Sequence, residues 1–239
     1  MRNAAPVVTF TFDDAPASAC ETGARLLERH QARGTYYISG GGCGRASPGG
    51  RLASVDQLRA LCVAGHEIGC HTFSHADVAG IGHEALAAEL ERNRSFLHGL
   101  DRRVTVRNFA YPYGDLSFGA KRYLQARFDS CRSLVPGVNC GAADLGALKT
   151  CELQNASIDR QGIANIVGET VRRNGWLVFT SHDVEERPSR FGVSPDLLEF
   201  TLQSARNLGC EIATIGDALR SVSGTGARSA VPSLRHIAG

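Results

Sequence analysis

A chain of 239 residues with 43% hydrophobic and 21% charged side chains has the composition of an average globular protein, enough for one large α/β domain and unlike collagen, coiled coil or a disordered polymer. Its 26 basic against 24 acidic side chains leave a formal charge of +2, which excludes the net basic field that drives binding along a phosphate backbone, so no nucleic-acid partner is expected. Apolar runs such as Trp176 to Thr180 fall far short of the ~20 residues that a spanning helix needs, and no stable membrane insertion is expected.

Met1-Arg2-Asn3 leads into an apolar stretch from Pro6 to Phe12 that ends in two aspartates. It lacks a signal peptide's long hydrophobic region and small-residue cleavage site, so it reads as a first strand. The expected location is the cytoplasm, with export left open if the chain starts at an artificial methionine. The strands expected in chain order are Val7 to Phe12, Thr35 to Ser39, Glu67 to Cys70, Asn108 to Tyr111, Ser130 to Val135, Leu153 to Ser157, Leu177 to Ser181 and Glu211 to Ile215. Their alternation with helical stretches predicts repeated β/α units around a mainly parallel sheet.

Helices are expected at about 19–32, 55–64, 117–127, 161–174, 195–207 and 216–222, and around Leu86, Leu90, Phe96, Leu97 and Leu100. That last stripe reads as core, opposite a solvated face of Glu89, Glu91, Arg92 and Arg94. Ser18 with Glu21, and Ser54 with Gln57, fit the capping-box pattern. Gly40-Gly41-Gly42-Cys43-Gly44 lacks both the P-loop ending and the dinucleotide spacing, and reads as a flexible βα loop. Residues 1–220 read as one catalytic domain, and the Ser-, Gly-, Ala- and Arg-rich end over 221–239 as a surface tail. The eight cysteines form no C-x-x-C pair and are expected to be reduced and mostly buried.

Three segments bear candidate chemistry. Thr9-Phe10-Thr11-Phe12-Asp13-Asp14 ends an apolar strand in adjacent carboxylates, charges that something must compensate. A regular strand sends them to opposite faces, and the turn at Ala15-Pro16 lets one ligate a metal while the other faces a reacting water; an acidic turn capping the sheet is the plainer reading. His71-Thr72-Phe73-Ser74-His75 sets two imidazoles four apart, able to face one cation if the chain turns helically after Cys70. Chance supplies roughly 0.27 such pairs in a chain this rich in histidine, so solvated or core histidines stay open. Trp176 to Asp183 again delivers a histidine, His182, and an aspartate after an apolar strand; a buried structural histidine is the alternative at such a place. All three segments end at expected strand C-termini, the face where β/α barrels assemble active sites.

TFDD, HTFSH, AYPYG at Ala110 to Gly114 and FTSHD, in this order, resemble the ordered motifs of the polysaccharide deacetylase family, carbohydrate esterase family four. The family includes the nodulation-type chitooligosaccharide deacetylases, chitin and peptidoglycan N-acetylglucosamine deacetylases and acetylxylan esterases. The resemblance spans about residues 7–215 and implies a distorted (β/α)7 barrel, TIM-barrel-like, with one divalent metal ion. It makes Asp13 the general base, Asp14, His71 and His75 the metal ligands, His182 the general acid and the backbone N–H of Tyr113 an oxyanion donor. One carboxylate with two imidazoles suits Zn²⁺ first, with Co²⁺, Ni²⁺ or Mn²⁺ as alternatives.

The sequence departs from the family pattern in three places. Ala110 stands where the motif carries an arginine that orients the base, leaving Arg107 as a substitute or Asp13 with a raised pKa. The fourth motif is not legible, with Asp159 a candidate partner for His182 and Trp176 a candidate for the acyl pocket or, more simply, for packing. Thr180 stands where many members place a leucine. His30, His66, His83, His98 and His236 read as surface or packing residues. The expected activity is removal of N-acetyl groups from a glucosamine-containing glycan or glycan precursor. The alternatives are the same site acting on O-acetyl xylan, a formylated sugar lipid or a small amide or ureide, or a catalytically silent glycan-binding barrel.

Overall fold

Val7–Asp13 forms strand β1, and its alternation sets the architecture. Val8, Phe10 and Phe12 pack outward into a core shared with Leu26, Leu27 and Leu198, while the other face carries Val7, Thr9, Thr11 and Asp13, the period-2 pattern of a strand buried on both sides. The structure, a computed structural model, describes residues 4–47 and 50–222. The strands after β1 are β2 (Thr35–Ile38), β3 (Ala46–Ser47), β4 (Gly50–Arg51), β5 (Glu67–Cys70), β6 (Asn108–Ala110), β7 (Ser130–Pro136), β8 (Leu148–Glu152), β9 (Trp176–Ser181) and β10 (Glu211–Ile212). The helices are α1 (Ala24–Arg29), α2 (Val55–Ala64), α3 (His83–Leu100), α4 (Phe118–Gln125), α5 (Arg160–Arg172), α6 (Pro195–Asn207) and α7 (Ile215–Val222).

Seven parallel strands run in the order β1, β2, β5, β6, β7, β8, β9, and β9 returns to pair with β1 from Val7↔Trp176 to Phe12↔Ser181. This closed ring with outer helices is the expected distorted (β/α)7 barrel, and two features account for the distortion. First, β1 meets β2 only over Thr11 to Asp13, and the gap below is taken by β10, which pairs with Val7 and Val8. Second, the β7–β8 register shifts between Arg132 and Pro136. At the same lower end, the Glu67 carboxylate accepts from Thr35 Oγ1 (2.8 Å), Asn108 Nδ2 (2.5 Å) and the Gly216 amide (2.9 Å). That ties α7 against the barrel floor. Gly69 allows the interior to fill: a Cβ there would lie 2.4 Å from the buried Tyr37 ring.

Most elements fall where the sequence places them, and the exceptions have physical reasons. The sixth expected strand, Leu153 to Ser157, is displaced: β8 is Leu148–Glu152, where Leu148 and Thr150 are buried between an exposed Lys149 and a half-buried Cys151. The first helix begins as a π-turn over Ala19–Gly23, and Ser18 forms no cap bond; its hydroxyl accepts from the Val184 amide instead. Ser54 does form the full capping box with Gln57. The glycine run is a βα loop, but a hydrogen-bonded one, with the Gly41 and Gly42 amides donating to the carbonyls of Phe73 and Ser39. A Cβ on Gly40 would come within 2.4 Å of Phe96, so these glycines serve close packing. The eight cysteines are free thiols, four buried and four half-buried, fewer buried than expected. Among the described residues no helix is long and apolar enough to cross a membrane. Of the tail expected over 221–239, Ser221 and Val222 instead end α7, and residues 223–239, His236 among them, lie outside the described residues.

The α3 helix fixes the upper rim from two positions. Asn93, fully buried, accepts from the Gly40 amide (2.9 Å) and donates to the Ile38 carbonyl (2.8 Å) and Cys70 Sγ (3.2 Å), clamping β2 to β5. Glu89, expected on the solvated face, has a side chain only 12% exposed and accepts from the amides of Phe73 (2.9 Å) and Ser74 (2.7 Å). Asn93→Ala strands a buried amide and carbonyl at about 2–3 kcal/mol. At about 2–4 °C per kcal/mol for a chain of this size, Tm falls by about 4–12 °C in a thermal melt, and a shift under about 1 °C would contradict the clamp.

Candidate active site

The C-terminal mouth of the barrel collects the three chemistry-bearing segments. Asp13, Asp14, His71, His75, Tyr113 and His182 all line one cleft of about 350 Å³, with Pro16, Tyr111, Leu134, Glu152, Gln154, Thr180 and Phe191 also on its wall. Backbone strain gathers them. Asp14 (φ 60°) and Ala15 (φ 54°) turn the chain through the left-handed region directly after β1, which brings to one cleft two carboxylates that a continuing strand would separate. Thr72 and His75 (both φ 58°) and Tyr113 (φ 61°) are also left-handed. Side chains pay for this conformation with about 1–2 kcal/mol each unless their surroundings compel it, and such residues cluster at functional sites.

The His71–His75 spacing therefore works through a loop, not through the helical turn that the sequence suggests. His71 extends β5 by one ladder bond to the Ile38 carbonyl (3.2 Å), Glu89 holds the amides of Phe73 and Ser74, and the Thr72 hydroxyl accepts from the Ala76 amide (2.9 Å). His75 arrives with its ring 4.8 Å from that of His71 and 4.4 Å from that of Tyr113. Ligand atoms of Asp14, His71 and His75 lie within 4.8 Å of one another, the one such cluster among the described residues. His71 Nδ1 donates to the Ala110 carbonyl (2.8 Å), because a carbonyl can only accept. The tautomer is thereby fixed, with the Nε2 lone pair free to ligate. Burial lowers the His71 pKa to about 4 despite the opposing pull of Asp13 and Asp14, so the ring is neutral near pH 7, as a metal ligand must be. Donor types, fixed tautomer and spacing together fit a divalent ion.

Asp13 is buried beside these ligands, and its partner is a residue the sequence reading missed. Burial alone would push the Asp13 carboxyl up, but the Arg132 guanidinium beside it, with smaller pulls from His71 and His182, outweighs that and leaves its pKa below the usual carboxylate value. Arg132 Nη2 donates to Asp13 Oδ1, and the Thr180 hydroxyl approaches Oδ2 at 3.4 Å. Two expectations are thus corrected: Asp13 does not keep a raised pKa, and Arg107 is not its partner. Arg107 is occupied by Asp129 on the exterior (2.5 Å).

Across the cleft, the His182 amide donates to the Phe191 carbonyl (3.2 Å) and its ring lies 5.3 Å from that of Phe191. Its Nδ1 is buried with no hydrogen-bond partner among the described residues. Asp159 does not serve it, since its carboxylate caps α5 by accepting from the Gly162 amide (2.8 Å). Trp176 is also absent from the cleft: it is fully buried in the barrel interior and its indole donates to Thr9 Oγ1 (2.9 Å), the packing reading. Glu152 and Gln154, hydrogen-bonded to each other at 3.2 Å, form the wall beside His182 and were hidden by the misplaced β8. The remaining histidines are structural or superficial: His66 is buried against Gly34 and Glu28, His30 pairs with Glu199, His83 stacks on Tyr123 and His98 is exposed.

Comparison with known proteins identifies the family and the fold. Residues 1–127, more than half of the chain, match the family model described as polysaccharide deacetylase. The chain is similar to a chitin deacetylase of Colletotrichum lindemuthianum, 22% identical over 227 residues that cover 89% of this chain and 79% of that protein. Its fold is similar to the solved structure of the chitin deacetylase from that fungus (TM-score 0.66, 18% identity, 91% of this chain and 89% of that one). It is also similar to that of a family 4 acetyl xylan esterase from Clostridium thermocellum in complex with a cobalt ion (TM-score 0.65, 19% identity, 92% and 93%).

Removing one candidate ligand tests the cluster without reference to substrate. Asp14→Ala weakens Zn²⁺ binding in isothermal titration calorimetry by at least ~100-fold, while the far-ultraviolet circular dichroism stays that of the parent. Unchanged affinity would place the metal elsewhere.

Proposed function

Because the chain belongs to the polysaccharide deacetylase family, we propose that it hydrolyses N-acetyl groups of a glucosamine-containing oligo- or polysaccharide, releasing acetate and a free amine. The observation that supports this reading most strongly is the junction in one cleft of a buried, arginine-paired carboxylate, Asp13, with an Asp14–His71–His75 ligand cluster and, opposite, a histidine, His182. A pure glycan binder has no need for a buried carboxylate held ionised beside a set of metal ligands.

Asp14, His71 and His75 are the residues that would hold the ion, with Zn²⁺ the first choice for this donor set. When bound, such an ion supplies Lewis-acid polarisation of the acetyl carbonyl and of a nucleophilic water. The chain's own residues carry the proton movements. Asp13, with Oδ1 engaged by Arg132 and Oδ2 met only by the Thr180 hydroxyl at 3.4 Å, keeps a lone pair on Oδ2 to take a proton from the attacking water. The Tyr113 backbone N–H, in a turn fixed by its left-handed conformation, donates to the oxyanion that forms at the former carbonyl. His182 gives a proton to the departing nitrogen, which otherwise leaves as an anion far too basic to be expelled. One C–N bond breaks, the water oxygen remains on the acetate, and the proton taken by Asp13 and the one given by His182 balance.

The cleft walls are consistent with an acetyl group: Leu134, Tyr111 and Phe191 provide apolar surface, while Thr180 and Gln154 add polar atoms. The substrate is tested by acetate release from N-acetylchitopentaose and from acetylated xylan, before and after chelation and after return of Zn²⁺ or Co²⁺. The expected result is release from the chitooligosaccharide that falls at least ~100-fold on chelation and returns with either ion. Release from xylan alone would move the substrate to an O-acetyl glycan, and release unaffected by chelation would overturn the metal reading.

A further inference from the structure

Resting on the assignment of Asp13 as base, we infer that Arg132 is the positioning residue for Asp13, standing in from the neighbouring strand for the arginine that the family motif carries at the position of Ala110. Ala110 on β6 and Arg132 on β7 are direct register partners, so their side chains leave the sheet on the same face, into the barrel. Both are fully buried. An arginine at 110 and one at 132 would occupy one interior volume and compete for one carboxylate. The methyl group at 110 leaves that volume to the longer side chain.

The surroundings of Arg132 point to a single task. Its Nη2 donates to Asp13 Oδ1, whereas Nε and Nη1 are buried with no hydrogen-bond partner among the described residues. The Tyr37 ring, made possible by Gly69, lies 5.3 Å from the guanidinium carbon. A guanidinium placed only for stability would be expected to satisfy its remaining donors, and apolar residues of similar volume commonly stabilise a buried site better than an ion pair does. This one makes a single side-chain hydrogen bond, to the carboxylate oxygen away from Thr180. That contact sets the carboxylate plane and leaves Oδ2 as the working oxygen.

The test moves the guanidinium back. Four proteins are compared, the parent, Arg132→Ala, Arg132→Ala with Ala110→Arg, and Arg132→Ala with Asp13→Asn, by kcat and KM, Zn²⁺ affinity and thermal melting. Kinetics use N-acetylchitopentaose, or p-nitrophenyl acetate should the parent not accept the glycan, so that a wrong substrate and a wrong residue give different results. Arg132→Ala is expected to lower kcat at least ~100-fold, the scale of a misplaced reacting group, with KM and Zn²⁺ affinity within about threefold of the parent. Ala110→Arg in that background is expected to return at least ~10-fold of the loss, which a merely structural role would not produce. A kcat for Arg132→Ala within about twofold of the parent would overturn the inference, as would a double variant that melts like the parent and recovers no activity. Should Arg132→Ala fail to fold, the melt decides: Asp13→Asn is expected to restore folding by removing the buried charge, and failure to do so would overturn the pairing.

Discussion

A carboxylate cannot remain ionised inside a closed parallel barrel unless something in the barrel compensates it, and much of this molecule's upper half follows from how that is done. Asp13 ends the one strand that pairs with three others, and Arg132 reaches it across the interior from β7. The pair occupies the volume that a fully apolar barrel would give to branched side chains. It also separates two tasks that adjacent aspartates would otherwise share. Asp13 stays with the guanidinium below, while the left-handed step at Asp14 swings the second carboxylate to His75, 3.7 Å away.

Around this centre the helices act mainly through the loops they hold. Asn93 and Glu89 lie four residues apart on α3, one turn of the same face, and between them secure the β2 and β5 loops. His71 is fixed from another side, by a carbonyl of β6 that belongs to Ala110, the residue whose small side chain makes room for Arg132. At this one position the backbone thus holds His71 of the candidate metal cluster and the side chain leaves room beside Asp13 for Arg132. At the opposite end, Glu67 ties three strands and α7 together, so strain at the rim is supported by a well-bonded floor.

What the sequence makes legible is whatever repeats at the strand or helix period. The short apolar runs in VVTFTFD and WLVFTS locate β1 and β9 to within a residue, and the stop of each apolar run before Asp, His or His-Asp marks the mouth of the barrel. Less legible is whatever depends on a partner distant in sequence. Arg132 lies 119 residues from Asp13, inside a run, Ser-Cys-Arg-Ser-Leu-Val, where an arginine looks like a solvent-facing position. A signal was present in the parity: Ser130 and Arg132 share the phase of Asn108 and Ala110 once β6 and β7 are paired. Glu89 was misassigned for a related reason, since a carboxylate that caps a loop from another element has the helical phase of a solvated one. The β8 strand was misplaced because Leu-Lys-Thr-Cys-Glu hides two buried positions among polar residues, and with it Glu152 and Gln154 were lost from the site.

In the proposed reaction Asp13 acts on the proton of a water and not as a metal ligand, a reading supported by its pairing with Arg132 and by the clustering of Asp14 with the histidines. Asp13→Asn separates the two roles, because the amide oxygen can still accept from the guanidinium but cannot take the proton. Turnover and Zn²⁺ content measured on the same preparation provide the direct test. With Asp13 as the base, the variant keeps full Zn²⁺ occupancy while kcat falls by about 10²–10⁴-fold. Loss of Zn²⁺ together with activity would make Asp13 a ligand, and undiminished turnover would remove it from the chemistry.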